Sequence, residues 1–223
     1  MIDARFLQLC DSAFPSGAFS QSFGLETAIA ERGLKDATAV RAWIAEYLER
    51  GLATLDARAM VLGMRGLASV AELDAALDVA IFPRDVRAAN RRLARATLEG
   101  YLAMGIVNDE IAAYRDAVLS GGAGGRHVLA CMLGYRAIGA TPEDAVTGYL
   151  SSSLSALAAV AARAVPLGQR DVGALLWSFR EAIAESGRVA CAARSVDDLT
   201  ASAFDCEIDA MRHSALDARL FAS

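Results

Sequence analysis

Prolines stand only at positions 15, 83, 142 and 166 of this 223-residue chain. Proline is the residue that most sharply ends a helix, because it lacks the amide hydrogen and its ring clashes with the preceding turn. The stretches 16–82, 84–141, 143–165 and 167–223 are therefore open to helix. What fills them is helix-prone. Ala occurs 48 times, and it loses no side-chain entropy on entering a helix. No segment carries the period-two alternation of a strand. The expected fold class is all-α: a single compact helical domain of about eight to ten helices, counted from the periodic segments and their stop signals.

Local signals place most of these helices. Arg5–Ser12 is a short apolar-rich segment broken by Pro15-Ser16-Gly17. Leu25–Glu31 follows, with Gly33 as its stop. In Asp36–Leu55, Val40, Ile44, Tyr47, Leu48, Leu52 and Leu55 recur at three and four residues, the stripe of one amphipathic helix. A further helical stretch reaches about Leu67. Ser69 with Glu72 is a capping box opening a helix to about Ala80. Pro83 stands where a first helical residue would, and that helix reaches Met104. Ile106–Leu119 is the next. Gly121–Gly125 reads as a flexible surface loop, and it lacks the Gly-Lys-Ser/Thr ending of a phosphate loop. Arg126–Ile138 is closed by Gly139. Thr141-Pro142-Glu143-Asp144 combines a capping hydroxyl, an N-terminal proline and two acids, and starts a helix that runs to Ala164. Asp171–Ala193 forms one more. After Ser195 charge alternates with isolated apolar residues. Asp205–His213 fits a short helix and the remainder a tail, so the division is a helical core over 1–195 and a distinct C-terminal segment over 196–223.

Several function classes fall away on composition. The net charge of −5 argues against nucleic acid as the main partner. The longest apolar runs are cut by charge at Arg136 and Arg163, short of the about 20 apolar residues a membrane span needs. No basic-then-apolar leader precedes Arg5, which leaves the cytoplasm as the expected location. Cys10, Cys131, Cys191 and Cys206 form no close pair and read as free thiols. The two histidines, His127 and His213, belong to no zinc-type motif, although Cys206 and His213 could share a helix face. No Gly-x-Ser-x-Gly elbow is present. Arg84, Arg87, Arg91 and Arg95, widened by Arg92, share one helix face. They read either as a solvated face paired with acids such as Asp85 and Glu99 or as a dock for an acidic protein surface. The mean hydropathy of +0.32 asks for a large core or for apolar surface covered by partners.

Three segments carry more specific information. The first is Leu7-Gln8-Leu9-Cys10-Asp11-Ser12-Ala13-Phe14-Pro15-Ser16-Gly17-Ala18-Phe19-Ser20, continuing through Phe23-Gly24-Leu25-Glu26. The second is Arg163-Ala164-Val165-Pro166-Leu167-Gly168-Gln169. The third is Glu207-Ile208-Asp209-Ala210-Met211-Arg212-His213 with Arg219-Leu220-Phe221 and Ser223. In this order they resemble the urease accessory protein UreF family along the whole chain. Departures fall at Gln21, at Arg126, at Ser214–Ala218 and at Ala222, where partner specificity would differ.

The resemblance implies a scaffold and no catalyst, all-helical and homodimeric; the lack of a ligand cluster in the sequence adds the expectation of no bound metal, and no cofactor is expected. It implies binding to the accessory protein UreD (also called UreH) and to the nickel-carrying GTPase UreG, docking on apo-urease, and gating of the GTP turnover that delivers nickel. Carried onto this sequence, the partner-binding residues are Pro15, Gly17, Phe19, Phe23, Glu26, Arg163, Gln169, Met211, Arg212, His213, Arg219 and Phe221. Glu26 and Arg163 match the acid and base linked to gating, and 196–223 becomes a partner-binding segment. Two alternatives stand beside this reading: a GTPase-activating protein with Arg163 as its finger, and a small helical enzyme using His127 or His213.

Overall fold

Five helices begin where a side chain receives a free amide of the first turn: Asp3, Asp36, Ser69, Asn108 and Thr141 are the capping residues. The computed structural model describes residues 3–223, and its helices are α1 (Ala4–Cys10), α2 (Leu25–Arg32), α3 (Ala37–Tyr47), α4 (Ala57–Met64), α5 (Val70–Ala80), α6 (Arg84–Ala103), α7 (Asp109–Ser120), α8 (His127–Ala137), α9 (Pro142–Ala164), α10 (Gln169–Ser178), α11 (Arg180–Ala190) and α12 (Phe204–Arg212). The Asp36 carboxylate accepts from the Ala39 amide at the start of α3, and Ser69 and Glu72 complete their capping box at α5. Thr141 caps α9, whose bounds match its sequence signals. Gly33 and Gly139 take the left-handed conformation that ends α2 and follows α8. Among the described residues there is no strand, and the class is all-α.

Some boundaries differ from the sequence reading for local reasons. The helix expected over Asp36–Leu55 loses its α pitch at Leu48. Residues Leu48–Asp56 form a π-helical stretch, and α3, this stretch and α4 make one continuous rod. The stretch expected as Asp171–Ala193 is interrupted at Phe179, where ψ opens to −4°, so α10 and α11 meet at a kink. With α10 and α11 taken as one kinked rod, the helical rods among the described residues number ten. Pro83 acts as the residue before α6 rather than its first. The helix expected from Ile106 begins at Asp109, because the Asn108 side chain captures the Ile111 amide at 2.8 Å. The glycine loop is not free. The Gly124 and Gly125 amides donate to the buried Asp74 carboxylate at 2.5 and 3.1 Å, and Arg91 donates to the Gly124 carbonyl at 3.0 Å. Arg126, 1% exposed, lies beneath this loop paired with Asp78.

Helix α9 is the axis of the bundle, with α1, α2, α4, α8, α10 and α11 packed around it. It is also the one helix among the described residues long and apolar enough to cross a membrane by length and composition. Leu150, Leu154, Leu157, Ala158, Val160 and Ala161 are all buried against its neighbours, and a core helix needs that apolarity. On the far side α6 packs on α8, and α12 closes over α2, α3 and α6.

Candidate partner-binding site

Segment 216–223 is not a loose tail. The N-terminal arm ahead of α2, the last turn of α9 and this C-terminal segment, a strap over residues 216–223, meet at one place, and Glu26 is its centre. Gly24 precedes α2 with φ 99°, and Phe23 before it has φ 52°, so the chain turns sharply into the helix. A Cβ on Gly24 would sit 2.7 Å from the Ala210 amide nitrogen and 2.8 Å from the Cys206 carbonyl oxygen of α12. Only glycine lets α2 and α12 approach this closely. The closeness carries Glu26, in the first turn of α2, beneath the chain that leaves α12. Glu26 is 5% exposed. Its Oε1 accepts from the Leu220 amide at 2.6 Å, and its Oε2 accepts from the Phe221 amide at 3.3 Å. Nε2 of His213, which is fully buried, lies 2.9 Å from the same Oε2. A carboxylate at this depth is tolerable because three donors surround it.

The same strap is held elsewhere. The Ala222 amide donates to the Ser20 carbonyl at 2.9 Å, and the Ser22 amide donates to the Ser223 carbonyl at 2.7 Å. Arg92 of α6 reaches the Gln21 side chain at 3.2 Å. Arg163, in the last turn of α9, donates to the Phe19 carbonyl and holds its guanidinium 4.5 Å from the Phe221 ring centre and 5.9 Å from that of Phe19. Glu26 and Arg163 therefore form no pair with each other. Each grips the strap from its own side, Glu26 by its backbone and Arg163 by its aromatic ring.

The other expected site residues divide between inside and outside. His213 and Phe221 face inward. Phe23 stacks on Tyr47 with ring centres 6.2 Å apart. Pro15, Phe19, Met211, Arg212 and Arg219 are exposed, Gly17 is half-buried in a left-handed turn, and Arg212 pairs with Glu31 at 2.6 Å. Gln169 is exposed at the start of α10 and makes no side-chain hydrogen bond among the described residues. Sequence reasoning missed Asp209. Its buried carboxylate accepts from Trp43 Nε1 at 2.8 Å and Arg32 at 2.9 Å, locking α12 onto α2 and α3. Its place in the Glu207–His213 motif was the available signal.

On the outside, Phe204, Ile208 and Met211 recur at four and three residues along α12, with exposures of 63%, 52% and 50%. Leu220, 74% exposed, stands on the strap. The C-terminal segment thus has an inner face locked by charge and aromatic contacts and an outer face of uncovered apolar side chains.

The two histidines offer no open acid–base group. His213 is enclosed by Glu26 and the strap, and it and Cys206 turn to different partners, Cys206 lying beside the Trp43 carbonyl. Burial lowers His127 to about 4, which leaves its ring neutral at pH 7, and its Nε2 contacts Cys131 Sγ at 3.4 Å. No group of three His, Cys, Asp or Glu among the described residues is placed to hold a metal ion.

His127 borders a partly open chamber of about 140 Å³ that also reaches Tyr47, Asp56, Asn90, Thr97 and Tyr149. Burial raises the Asp56 carboxyl from 3.8 to about 6 against the opposing hydrogen bond from Tyr149, 3.0 Å away. Between those pH values the folded chain holds a proton that the unfolded chain has released. Stability therefore falls as pH rises through that window and is level above it. Asp56→Asn keeps the Tyr149 contact and cannot ionise. It is expected to leave stability unchanged at pH 3.5 and to raise it at pH 8 by up to about 2 kcal/mol, allowing for water in the chamber. Urea midpoints at the two pH values check this. An equal shift at both would refute the titration.

Comparison with known proteins extends across this arrangement. A family model described as UreF matches residues 34–180. The urease accessory protein UreF of Arthrobacter sp. (strain FB24) is 35% identical over 221 residues, covering 97% of this chain and 95% of the relative. That of Paenarthrobacter aurescens (strain TC1) is 33% identical over 218 residues, with coverage of 97% and 96%. The UreF of Bacillus sp. (strain TB-90) is 31% identical over 225 residues, again at 97% and 96%. The family model stops short of the N-terminal arm and the C-terminal strap, whereas the alignments with these three relatives each cover 97% of the chain.

Proposed function

We propose that this chain, which belongs to the UreF family of urease accessory proteins, works in urease maturation as a helical scaffold that presents its C-terminal segment to the accessory protein UreD/UreH. It is an accessory protein and not an enzyme. In this reading the scaffold also binds the GTPase UreG, acts in the cytoplasm as a homodimer, docks with its partners on apo-urease, and gates the GTP turnover that accompanies nickel insertion. The observation that carries it is the two-sided C-terminal segment. Glu26, His213 and Arg163 hold its inner face in one conformation, so the outer row Phe204, Ile208, Met211 and Leu220 is ordered before any partner arrives. Preorganised apolar side chains lose little entropy on binding and gain the full burial term.

The test separates surface from fold. Ile208→Asp with Met211→Asp changes only exposed positions, and its melting temperature is expected to stay within about 2 °C of wild type, as surface substitutions commonly do. Capture of purified UreD/UreH by the doubly substituted chain is expected to fall at least about tenfold, the order expected when two contact residues in a desolvated patch become charged. Undiminished capture would sink the assignment of this face. Light scattering is expected to give the mass of a dimer.

Arg163→Ala addresses gating. The guanidinium is exposed, and its loss removes two cation–π contacts, to Phe221 and Phe19, and two hydrogen bonds, to the Phe19 and Ala159 carbonyls, together worth about 1–2 kcal/mol at an exposed site. The chain is expected to accumulate normally, while urease matured with it differs in activity per nickel. Activation identical to wild type would remove Arg163 from the gating role.

A further inference from the structure

The arginines of α6 found no acids. Arg84, Arg87, Arg91, Arg92 and Arg95 enter none of the ion pairs among the described residues. Glu99, which follows Arg95 by one turn, is taken by Arg115 at 2.8 Å. Three of the five are instead held by neutral oxygens. Arg87 donates to the Ile81 and Phe82 carbonyls at 2.7 and 2.8 Å, Arg91 to the Gly124 carbonyl at 3.0 Å, and Arg92 to the Gln21 side chain at 3.2 Å. These bonds orient the guanidinium groups and leave their charge uncompensated. Among the described residues Arg84 and Arg95 make no side-chain hydrogen bond, and both are exposed. Arg84 is also the first residue of α6, where the helix dipole opposes a positive charge. The local fold therefore gains nothing from its charge.

We propose that this arginine face is a docking surface for a folded protein that presents a carboxylate-rich patch, within the maturation assembly proposed above. The chain carries a net charge of −5, so its remainder is more negative still and repels an extended polyanion. The row from Arg84 to Arg95 is about 16 Å long at the helical rise, the scale of a local protein contact rather than of a duplex or a bilayer. Arginine forks match carboxylates in geometry as well as charge. Apolar contacts are at hand where the row begins: Val79 and Phe82 are 79% and 65% exposed beside Arg84. A mixed arginine and aromatic surface is the composition of protein interfaces. At the other end Arg92 joins the face to the clasped N-terminal arm, so the two surfaces are continuous.

The experiment compares wild type with R84E/R95E and with R84K/R95K. Binding of purified UreD/UreH, UreG and apo-urease is measured for each at low and high salt. R84E/R95E is expected to melt at or above the wild-type temperature and to bind at least one of the three partners about tenfold more weakly at low salt, with a flatter salt dependence. R84K/R95K is expected to recover most of the affinity. Unchanged affinities of R84E/R95E for every partner that wild type binds overturn the inference and leave the C-terminal assignment standing. Tighter wild-type binding to duplex DNA or to phosphatidylglycerol vesicles than to any of the proteins overturns it too. Wild-type binding to none of the three proteins ends both proposals together.

Discussion

Glu26→Ala is expected to destabilise the chain by about 3–5 kcal/mol, the cost found when one member of a buried charged network is removed and its partners stay behind. The Leu220 and Phe221 amides and the His213 ring would all lose their acceptor at once. His213 has no second partner to turn to, since its Nδ1 is already buried without one. Water can rescue these donors only if the strap lifts, and lifting it strips Phe221 from Arg163 and uncovers the Ser22 and Ser20 contacts. Glu26→Gln retains one acceptor oxygen and is expected to cost about 1–2 kcal/mol, a hydrogen bond to a charged group weakened rather than deleted. Chemical denaturation gives both numbers, and hydrogen exchange at 220–222 reports the strap directly. A loss below about 1 kcal/mol for Glu26→Ala, with unchanged exchange, would show that the carboxylate does not hold the strap. The structural and functional roles of Glu26 then separate cleanly: the alanine variant should lose partner binding in proportion to strap opening, and the glutamine variant should keep most of it.

Gly24→Ala is expected to cost at least about 3 kcal/mol, because an overpacked site and a disfavoured backbone conformation add. The added methyl would meet main-chain atoms of α12 at 2.7 and 2.8 Å, and backbone cannot swing aside as a side-chain tip does. Helix α12 must move away from α2, which loosens Cys206 and Ala210 and pulls His213 from Glu26. Gly17→Ala is the control. Gly17 also has a positive φ, 77°, but a Cβ there meets nothing within 4 Å. Its substitution is expected to cost only about 1 kcal/mol, the conformational term alone. Thermal melts of the two variants separate clash from strain. If they melt together, the closeness of α2 and α12 is not what holds the strap in place.

Much of the helical plan was legible because it is local. Asp36, Ser69 and Thr141 each receive an amide three residues away, and Gly33 and Gly139 end or follow helices by their own conformation. The π-helical stretch was not legible. Its apolar residues keep recurring at three and four positions, and widening the pitch leaves that pattern intact. The kink at Phe179 has no proline or glycine to announce it, and the stripe Leu175, Leu176, Phe179 and Ile183 runs through it unbroken. The strap read as a tail because its one buried aromatic, Phe221, is flanked by exposed Leu220 and Ala222, and no local periodicity can count a single residue as core.

Glu26 marks the boundary between the two kinds of information. In the sequence it is an acid in the first turn of a helix, a favourable place for negative charge and ordinarily a solvated one. Nothing within its own helix could bury it. Its donors come from 187 to 195 residues further along the chain, and only the close approach of α2 and α12 at Gly24 brings them to it. Arg163 is the same case from the other side: a cation ending α9, the expected sign for a helix C-terminus, whose aromatic partners lie at the two ends of the chain. By itself the sequence determined the fold class, most helix starts and the family, because caps, composition and motif order act over a few residues or are simply read in line. The tertiary structure alone decided that Glu26 and Arg163 grip one strap rather than each other. That outcome depends on which backbones can touch, and contact between distant segments is not written in the spacing of either.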